Sequence, residues 1–187
     1  MKAGVLALQG DFREHARILA DCGVTAVLVR APDDLGGVDS LVIPGGESTT
    51  IGKLARAHGL VEPIRDRAGK GMPVFGTCAG MIAMATEVPG GEPLLSLMDL
   101  RVVRNAYGRQ LDSFEADVKV RGIEGKPMRA VFIRAPMVES VGDGVDVLAE
   151  HDGRPVVCEQ GHLLVAAFHP ELAADPRLHR RFLEKVG

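Results

Sequence analysis

Short apolar runs alternate with helical patterns along the first half of the chain. The runs at residues 5–8, 26–29, 41–43 and 74–75 predict strands. Between them, apolar residues recur at helical spacing over residues 12–22 and 49–58, and Gly23 and Gly59 are placed to end these helices. Strands and helices that alternate in this way predict a parallel sheet with helices on both faces.

The second half of the chain has more strands and fewer helices. Strands are predicted at residues 97–103, 116–120, 130–133, 145–150, 155–159 and 163–168, and Pro176 starts a last helix over 177–185. Glycine-containing turns at residues 151–154 and 160–162 indicate hairpins. We therefore expect one α/β domain over residues 1–187, in which a mostly parallel central sheet carries an antiparallel extension.

Composition narrows the class of protein. The 187 residues carry a net charge of −3, which offers nucleic acid no electrostatic attraction, and 46% of them are hydrophobic. No apolar run approaches the roughly 18 residues of a membrane span, and the first apolar run is too short for a signal peptide. Three scattered cysteines without metal-ligand spacing favour a reducing cytoplasm, with free thiols and no zinc site.

One cysteine stands in an unusual context. Cys78 is the centre of Gly-Thr-Cys-Ala-Gly, after an apolar run and before a helix-forming run, which is the pattern of a nucleophile elbow. A buried cysteine that only packs, the interpretation we prefer for Cys22 and Cys158, would not need two flanking glycines. The amides and dipole of a helix that begins at Ala79 would favour a thiolate. Cys78 is therefore the candidate nucleophile.

A histidine and a carboxylate are candidates for its partners. His169 follows the apolar run 163–168, and Glu171 comes two residues later. Each alone has a structural explanation, since a histidine before proline can simply end a strand. Because ligands bind beyond the carboxyl ends of parallel strands, we expect the His169 turn, the elbow and the loop 44–48 to share one crevice.

The loop at residues 44–48, Pro-Gly-Gly-Glu-Ser, allows several interpretations. A phosphate site is weakly supported, because no Gly-Lys-Ser/Thr follows. Ser48 could serve as the N-cap of the helix that begins at Thr49. The backbone amides of Gly46 and Ala79 could form an oxyanion hole for an amide carbonyl attacked by Cys78. Capping and oxyanion binding are compatible, and we expect both.

Several motifs together resemble a known family. The elbow and the downstream His-Pro-Glu are similar to those of the class I, triad-type glutamine amidotransferases. More narrowly, the chain resembles the glutaminase subunits of pyridoxal 5′-phosphate synthase over nearly its whole length. The segments that carry this resemblance are residues 7–11 with Glu14 and His15, 44–50, 76–80, 104–110, 132–136 and 168–172. Met81 and Ala173 depart from residues frequent in the family, leucine and threonine, without touching a proposed chemical role.

The resemblance implies a three-layer class I glutamine amidotransferase-like fold and a role for each candidate. Cys78 would attack the side-chain amide of L-glutamine, His169 would move the proton, and Glu171 would orient His169. The residues that would bind the substrate are Gly46, Glu47, Ser48, Arg104, Ile133 and Arg134. Without the resemblance, Arg104 and Arg134 would be interpreted as surface salt-bridge residues. This chemistry needs no metal and no organic cofactor.

The length and the resemblance together imply a partner. We expect no synthetase domain in this chain, so the ammonia would pass to a separate (β/α)8-barrel synthase that makes pyridoxal 5′-phosphate. Residues 9–15 are candidates for part of the docking surface, although His15 could equally be a helix residue packed near the sheet edge. Two alternatives remain: a cysteine hydrolase or peptidase with a related elbow, and a non-catalytic binding module.

Overall fold

Seven strands form the largest sheet of the computed structural model, which describes residues 1–104 and 113–187. In spatial order they are β2 (Thr25–Val29), β1 (Lys2–Leu6), β3 (Ser40–Ile43), β4 (Val74–Thr77), β12 (Leu163–Ala166), β11 (Arg154–Gln160) and β10 (Asp146–His151). The strands from β2 to β12 pair in parallel, whereas β11 and β10 pair antiparallel. This arrangement confirms the mostly parallel sheet with an antiparallel extension.

Helices cover the sheet. They are α1 (Phe12–Asp21), α2 (Pro32–Leu35), α3 (Ser48–Ala57), α4 (Val61–Gly69), α5 (Ala79–Met84) and α6 (Arg177–Leu183), with a 3₁₀ turn at Pro170–Leu172. Every residue of β3, β4 and β12 is buried, so both faces of the sheet are covered at its centre. The sequence pattern did not identify α2 or α4. In α4 only Ile64 and Ala68 are buried, which leaves too narrow an apolar stripe to recognise.

Five further strands lie outside the large sheet. β5 (Ala85–Glu87), β6 (Met98–Val103) and β9 (Met137–Val141) form a three-stranded sheet, and β7 (Ser113–Val118) pairs antiparallel with β8 (Met128–Ile133). β6, β7 and β8 correspond to strands that the sequence predicts. β5 and β9 were not predicted, since β5 has three residues and β9 buries only Val138.

Two hairpins build the antiparallel extension, as the turn residues predict. β10 and β11 are joined at Asp152 and Gly153, whose φ angles of 50° and 70° suit a tight hairpin turn. β11 and β12 are joined at Gly161, which also has a positive φ of 58°. Within the described ranges, none of the helices combines the length and the apolar character that a membrane crossing requires.

The strand order places four loops side by side. β1, β3, β4 and β12 are consecutive neighbours in the sheet and run in the same direction. The loops that follow them, which carry residues 7–11, 44–47, Cys78 and His169, therefore leave the same edge of the sheet. Such an edge is where open parallel sheets bind their ligands.

Candidate active site

A cleft of about 520 Å³ lies at this edge of the sheet. Cys78, Ala79 and His169 line it, so the structure brings the elbow and the histidine turn together as predicted. All six residues expected to bind the substrate line the same cleft: Gly46, Glu47, Ser48, Arg104, Ile133 and Arg134. Glu171 lies behind His169 and is 7% exposed.

The elbow has the backbone geometry that its sequence predicts. β4 ends at Thr77, α5 begins at Ala79, and Cys78 between them has φ 48° and ψ −105°. A non-glycine residue in this region is strained, and such strain is concentrated at functional sites. The Cys78 thiol donates a weak hydrogen bond to the carbonyl of Ile133, with Sγ and O 3.8 Å apart.

The two glycines of the elbow are required by close packing. A β-carbon on Gly80 would lie 2.0 Å from the carbonyl oxygen of Ile43, and one on Gly76 would lie 2.6 Å from the Gly80 carbonyl. Both distances are far below van der Waals contact, so α5 can fold back on β3 and β4 only with glycine at these positions. This close packing explains why the elbow carries a glycine two residues before and two residues after Cys78.

His169 and Glu171 form a buried hydrogen-bonded pair. Nδ1 of His169 lies 2.7 Å from Oε1 of Glu171, and the ring is 3% exposed. The backbone N–H of His169 donates to the carbonyl of Val131 at 2.9 Å, which anchors the turn beside β8. The 3₁₀ turn that begins at Pro170 bends the chain so that the carboxylate comes back to the imidazole. Because Nδ1 is bonded to Glu171, Nε2 is the ring nitrogen available for chemistry in the cleft.

The electrostatic environment favours a charged imidazole. Burial alone would lower the pKa of His169, but hydrogen bonds with Asp11, Cys78 and Glu171 and the charge of Glu171 raise it. Burial raises the pKa of Glu171, and its hydrogen bond with His169 opposes that shift. Since Asp11 Oδ2 also lies 3.3 Å from Nδ1, an imidazolium here has two carboxylates beside it.

The glycine loop is held by the loop that follows β1. The N–H of Asp11 donates to the Gly45 carbonyl at 3.1 Å, and the N–H of Glu47 donates to Oε1 of Gln9 at 2.7 Å. Gly46 between them has φ 154°, and a β-carbon there would lie 2.5 Å from the same Gln9 oxygen. The peptide proposed to bind an oxyanion is therefore positioned from both sides.

Glu47, not Ser48, caps helix α3. The helix begins at Ser48, and the Glu47 carboxylate accepts hydrogen bonds from the N–H groups of Thr49 at 2.9 Å and Thr50 at 2.7 Å. The Thr50 hydroxyl and the Thr49 amide are the main causes that lower the pKa of Glu47 to about 2. The prediction of Ser48 as N-cap is wrong, because the longer glutamate side chain reaches the same amides from one residue earlier.

The two candidate arginines, Arg104 and Arg134, also line the cleft. Arg104 donates to the carbonyl of Gly90 at 3.3 Å, and Arg134 has a strained φ of 43°. Within residues 1–104 and 113–187 neither guanidinium forms a salt bridge, so the surface salt-bridge interpretation is not supported there. Residues 105–110 of the motif that begins at Arg104 lie outside the described residues.

One family model matches nearly the whole chain and shows to which family it belongs. It is described as the SNO glutamine amidotransferase family, and it matches residues 5–187. The chain belongs to the SNO glutamine amidotransferase family. The resemblance inferred from the motifs is thereby confirmed.

Relatives of this SNO family member support the assignment over its full length. A protein of Pelotomaculum thermopropionicum named pyridoxal 5′-phosphate synthase subunit PdxT is 56% identical over 99% of this chain and 95% of its own length. One of the same name from Acidothermus cellulolyticus is 56% identical over 100% of this chain and 94% of its own. A crystal structure described as a glutamine amidotransferase superposes with a TM-score of 0.94 at 50% identity, covering 99% of this chain and 98% of that one. The class I amidotransferase-like fold is therefore confirmed.

The sequence assigns no role in the site to three polar residues that lie in or near the cleft. Asp11 contacts His169, and the buried imidazoles of His15 and His179 lie 2.9 Å apart, nitrogen to nitrogen. Of the two interpretations of His15, the docking surface is wrong and the packed helix residue is confirmed, because His15 lies in α1 and is fully buried. His15 and His179 are 164 positions apart, and no local pattern could have joined them.

One group near the cleft has donor atoms close enough together for a metal ion. One ligand atom each from Asp11, His169 and Glu171 lies within 4.8 Å of the others. The same atoms are joined by the hydrogen bonds already described, which explain their proximity. The cleft thus presents a thiol, an imidazole and carboxylates, which are the groups of nucleophilic acyl transfer.

Proposed function

We propose that this chain hydrolyses L-glutamine to L-glutamate and ammonia, and that it delivers the ammonia to a synthase subunit that makes pyridoxal 5′-phosphate. The observation that carries the proposal is that Cys78 and His169 line one cleft, with Glu171 bonded to His169 behind it, in a member of the SNO glutamine amidotransferase family. The relatives named as PdxT subunits of pyridoxal 5′-phosphate synthase support the identity of the acceptor.

The first half of the reaction forms a thioester. His169 takes the thiol proton, and the Cys78 sulfur adds to the side-chain amide carbon of glutamine. The N–H groups of Gly46 and Ala79 hold the negative oxygen of the tetrahedral intermediate. A single donor of this kind is worth about 3–4 kcal/mol of transition-state stabilisation. His169 then protonates the amide nitrogen, the carbon–nitrogen bond breaks, and ammonia leaves.

The second half of the reaction regenerates the thiol. A water molecule gives a proton to His169 and adds to the γ-glutamyl thioester carbon. The carbon–sulfur bond breaks, glutamate leaves, and the proton on His169 returns to the sulfur. Glu171 orients the ring throughout and stabilises its charged form, consistent with the raised pKa of His169.

The charges of the cleft suit an α-amino acid. The guanidinium of Arg104 is the proposed partner of the substrate α-carboxylate, with Arg134 and Ile133 beside it. Glu47, whose low pKa keeps it ionised, adds a negative charge to the same cleft for the α-ammonium group. Both carboxylate oxygens of Glu47 cap α3, so Glu47 acts on the substrate through its charge. The neighbouring backbone of Gly46 and Ser48 shapes this part of the cleft.

The ammonia requires a partner. At neutral pH free ammonia is mostly protonated, and ammonium is not nucleophilic, so a synthase docked over the cleft would receive it directly. We propose that this partner is a (β/α)8-barrel subunit, and that its docking reorients the Gly45-Gly46 peptide into the working oxyanion hole. We further propose that residues 1–187 form one glutaminase domain. Its three free cysteines are consistent with the cytoplasm as its location.

The proposal is tested by measuring the two activities of the complex separately. With purified synthase present, Cys78→Ala should abolish glutamate release from glutamine, while pyridoxal 5′-phosphate formation fed with ammonium salts continues. Cys22→Ala is the matched control, because this half-buried thiol is not part of the cleft, and it should retain both activities. Loss of both activities in Cys78→Ala, or of neither, would contradict the proposal.

The cysteine hydrolase alternative is not favoured by the family match. A direct comparison still separates the two activities. The complex should release ammonia from glutamine and leave short peptides intact. Cleavage of peptides at a rate comparable with glutamine would support the alternative.

A further inference from the structure

The carboxylate of Glu171 has a second oxygen that the triad does not use. Oε1 is bonded to His169, whereas Oε2 is buried and, among residues 1–104 and 113–187, accepts no hydrogen bond of good geometry. Nε2 of the buried His15 lies 3.3 Å from Oε2. A buried carboxylate oxygen without a donor is expensive, so this neighbour matters to the state of Glu171.

Both ring nitrogens of His15 have hydrogen-bond partners. The ring is fully buried, its Nδ1 lies 2.9 Å from Nε2 of His179, and its Nε2 lies 3.0 Å from Oγ1 of Thr77. The edge of the Phe75 ring packs against it, with ring centroids 6.4 Å apart. His15 thus joins α6, β4 and the 3₁₀ turn of Glu171 from its position in α1.

The hydrogen-bond partners favour one tautomer of His15. If Nε2 carries the hydrogen, Thr77 Oγ1 at 3.0 Å and Glu171 Oε2 at 3.3 Å are the acceptors near it, and Nδ1 accepts from His179. The Nδ1 atom of His179, which has no partner among the described residues, then carries a lone pair and no hydrogen. The opposite tautomer would leave a buried N–H of His179 unpaired and would aim a lone pair at the Glu171 oxygen, and orphaned N–H groups are the rarer case.

His15 can act as this donor without adding charge. Burial lowers its pKa well below the ordinary value, and the charges of His179 and His169 lower it further. A neutral ring that donates from Nε2 stabilises the ionised form of Glu171 and does not compete with the imidazolium of His169.

From this geometry we infer that His15 is a positioning residue of the glutaminase, which holds Glu171 through its second carboxylate oxygen. The inference rests on the proposed function. A chain of contacts then runs from Cys78 through His169 and Glu171 to His15. The orientation of the His169 ring therefore depends on helix α1, which carries His15 and lies outside the cleft.

Two amide variants separate this role from simple packing. In His15→Gln the amide nitrogen can occupy the place of Nε2 and donate to Glu171. In His15→Asn it can reach only the place of Nδ1, on the side of His179. In the complex with the synthase, the asparagine variant should lose about 10-fold to 100-fold in kcat with KM within about twofold. The glutamine variant should stay within about threefold of wild type.

The pH profile gives a readout that a packing defect would not move. Without its donor the pKa of Glu171 rises, so the acid limb of kcat should shift to higher pH in His15→Asn and stay in place in His15→Gln. Pyridoxal 5′-phosphate formation from ammonium salts shows that each variant is folded and assembled. Equal activity of both variants, at the wild-type or at a reduced level, would overturn the inference.

A second measurement does not depend on any variant folding. Nitrogen-15 NMR of histidine in the full-length chain should show His15 neutral and protonated on Nε2 at pH 7, and the signal of that nitrogen should move in Glu171→Gln. Protonation on Nδ1 would overturn the inference. If the wild-type complex released no glutamate, the proposed function would fail, while this measurement would still decide whether the hydrogen bond exists.

Discussion

Gly45 packs against the ring of His169 so closely that a β-carbon on Gly45 would lie 2.3 Å from Cε1 and 2.9 Å from Nδ1. The loop after β3 therefore packs directly against His169, the proposed general base. Because the Gly45 carbonyl also accepts from Asp11, three of the four loops at the sheet edge meet at this ring. The absence of a side chain at position 45 is a requirement of the active site as well as of the loop.

Gly45→Ala should displace His169 and lower kcat by roughly 100-fold, since a shift of about 1 Å in a catalytic group has an effect of that size. Glutamate release by the complex measures it. Gly69→Ala is the matched control, because the residue is helical and a β-carbon there would meet no other part of the described chain within 4 Å. The control should keep full activity, and an active Gly45→Ala enzyme would show that His169 can move without loss.

Glu47→Ala should destabilise the fold by about 1 kcal/mol, because α3 loses the carboxylate that caps its first amides. Urea unfolding at pH 7 measures the change. The control is Glu92→Ala. The Glu92 side chain is 91% exposed and forms a surface ion pair with Arg56 at 3.6 Å, so its removal should change the free energy of unfolding by less than about 0.5 kcal/mol. Equal stability of Glu47→Ala and wild type would refute the capping role.

The free energy of unfolding should decrease as the pH is lowered, because His179 is buried. Burial lowers its pKa to about 3, whereas in the unfolded chain it returns to about 6.5, so below about pH 6.5 the unfolded state binds a proton that the native state does not. Between pH 7 and pH 5 this one residue should remove about 2 kcal/mol from the free energy of unfolding.

His179→Phe should abolish that part of the pH dependence, measured by urea unfolding at pH 7, 6 and 5. His58→Gln, which removes an exposed histidine, controls for the loss of one imidazole. An identical loss of stability between pH 7 and pH 5 in His179→Phe and wild type would show that the native state takes up the proton.

The parts of the site that the sequence predicts are those with local signals. The elbow is a strand, a strained residue and a helix in succession, and the short separation of His169 and Glu171 lets one 3₁₀ turn bring them together. The parallel sheet with helices on both faces follows from the alternation of strands and helices. These features depend on neighbours in the chain, which is why pattern and spacing suffice for them.

The parts that escaped prediction depend on contacts between distant segments. Asp11 reaches His169, and His15 reaches His179, only because β1 lies beside β3 and α1 lies near the last helix. The first strand was also placed too late, at residues 5–8 instead of Lys2–Leu6, because the small buried residues Ala3 and Gly4 give little hydrophobic signal.

The central claim is that Cys78 is the nucleophile that attacks glutamine, and covalent labelling tests it most directly. An electrophilic analogue of glutamine, incubated with the synthase complex and analysed by mass spectrometry, should modify Cys78 alone. Cys158 is the internal control, since it is fully buried and burial, with the charge of Glu150, raises its pKa to about 12. A single adduct on Cys78 is the result expected. An unmodified Cys78 in a complex that releases glutamate, or labelling at another residue, would contradict the claim.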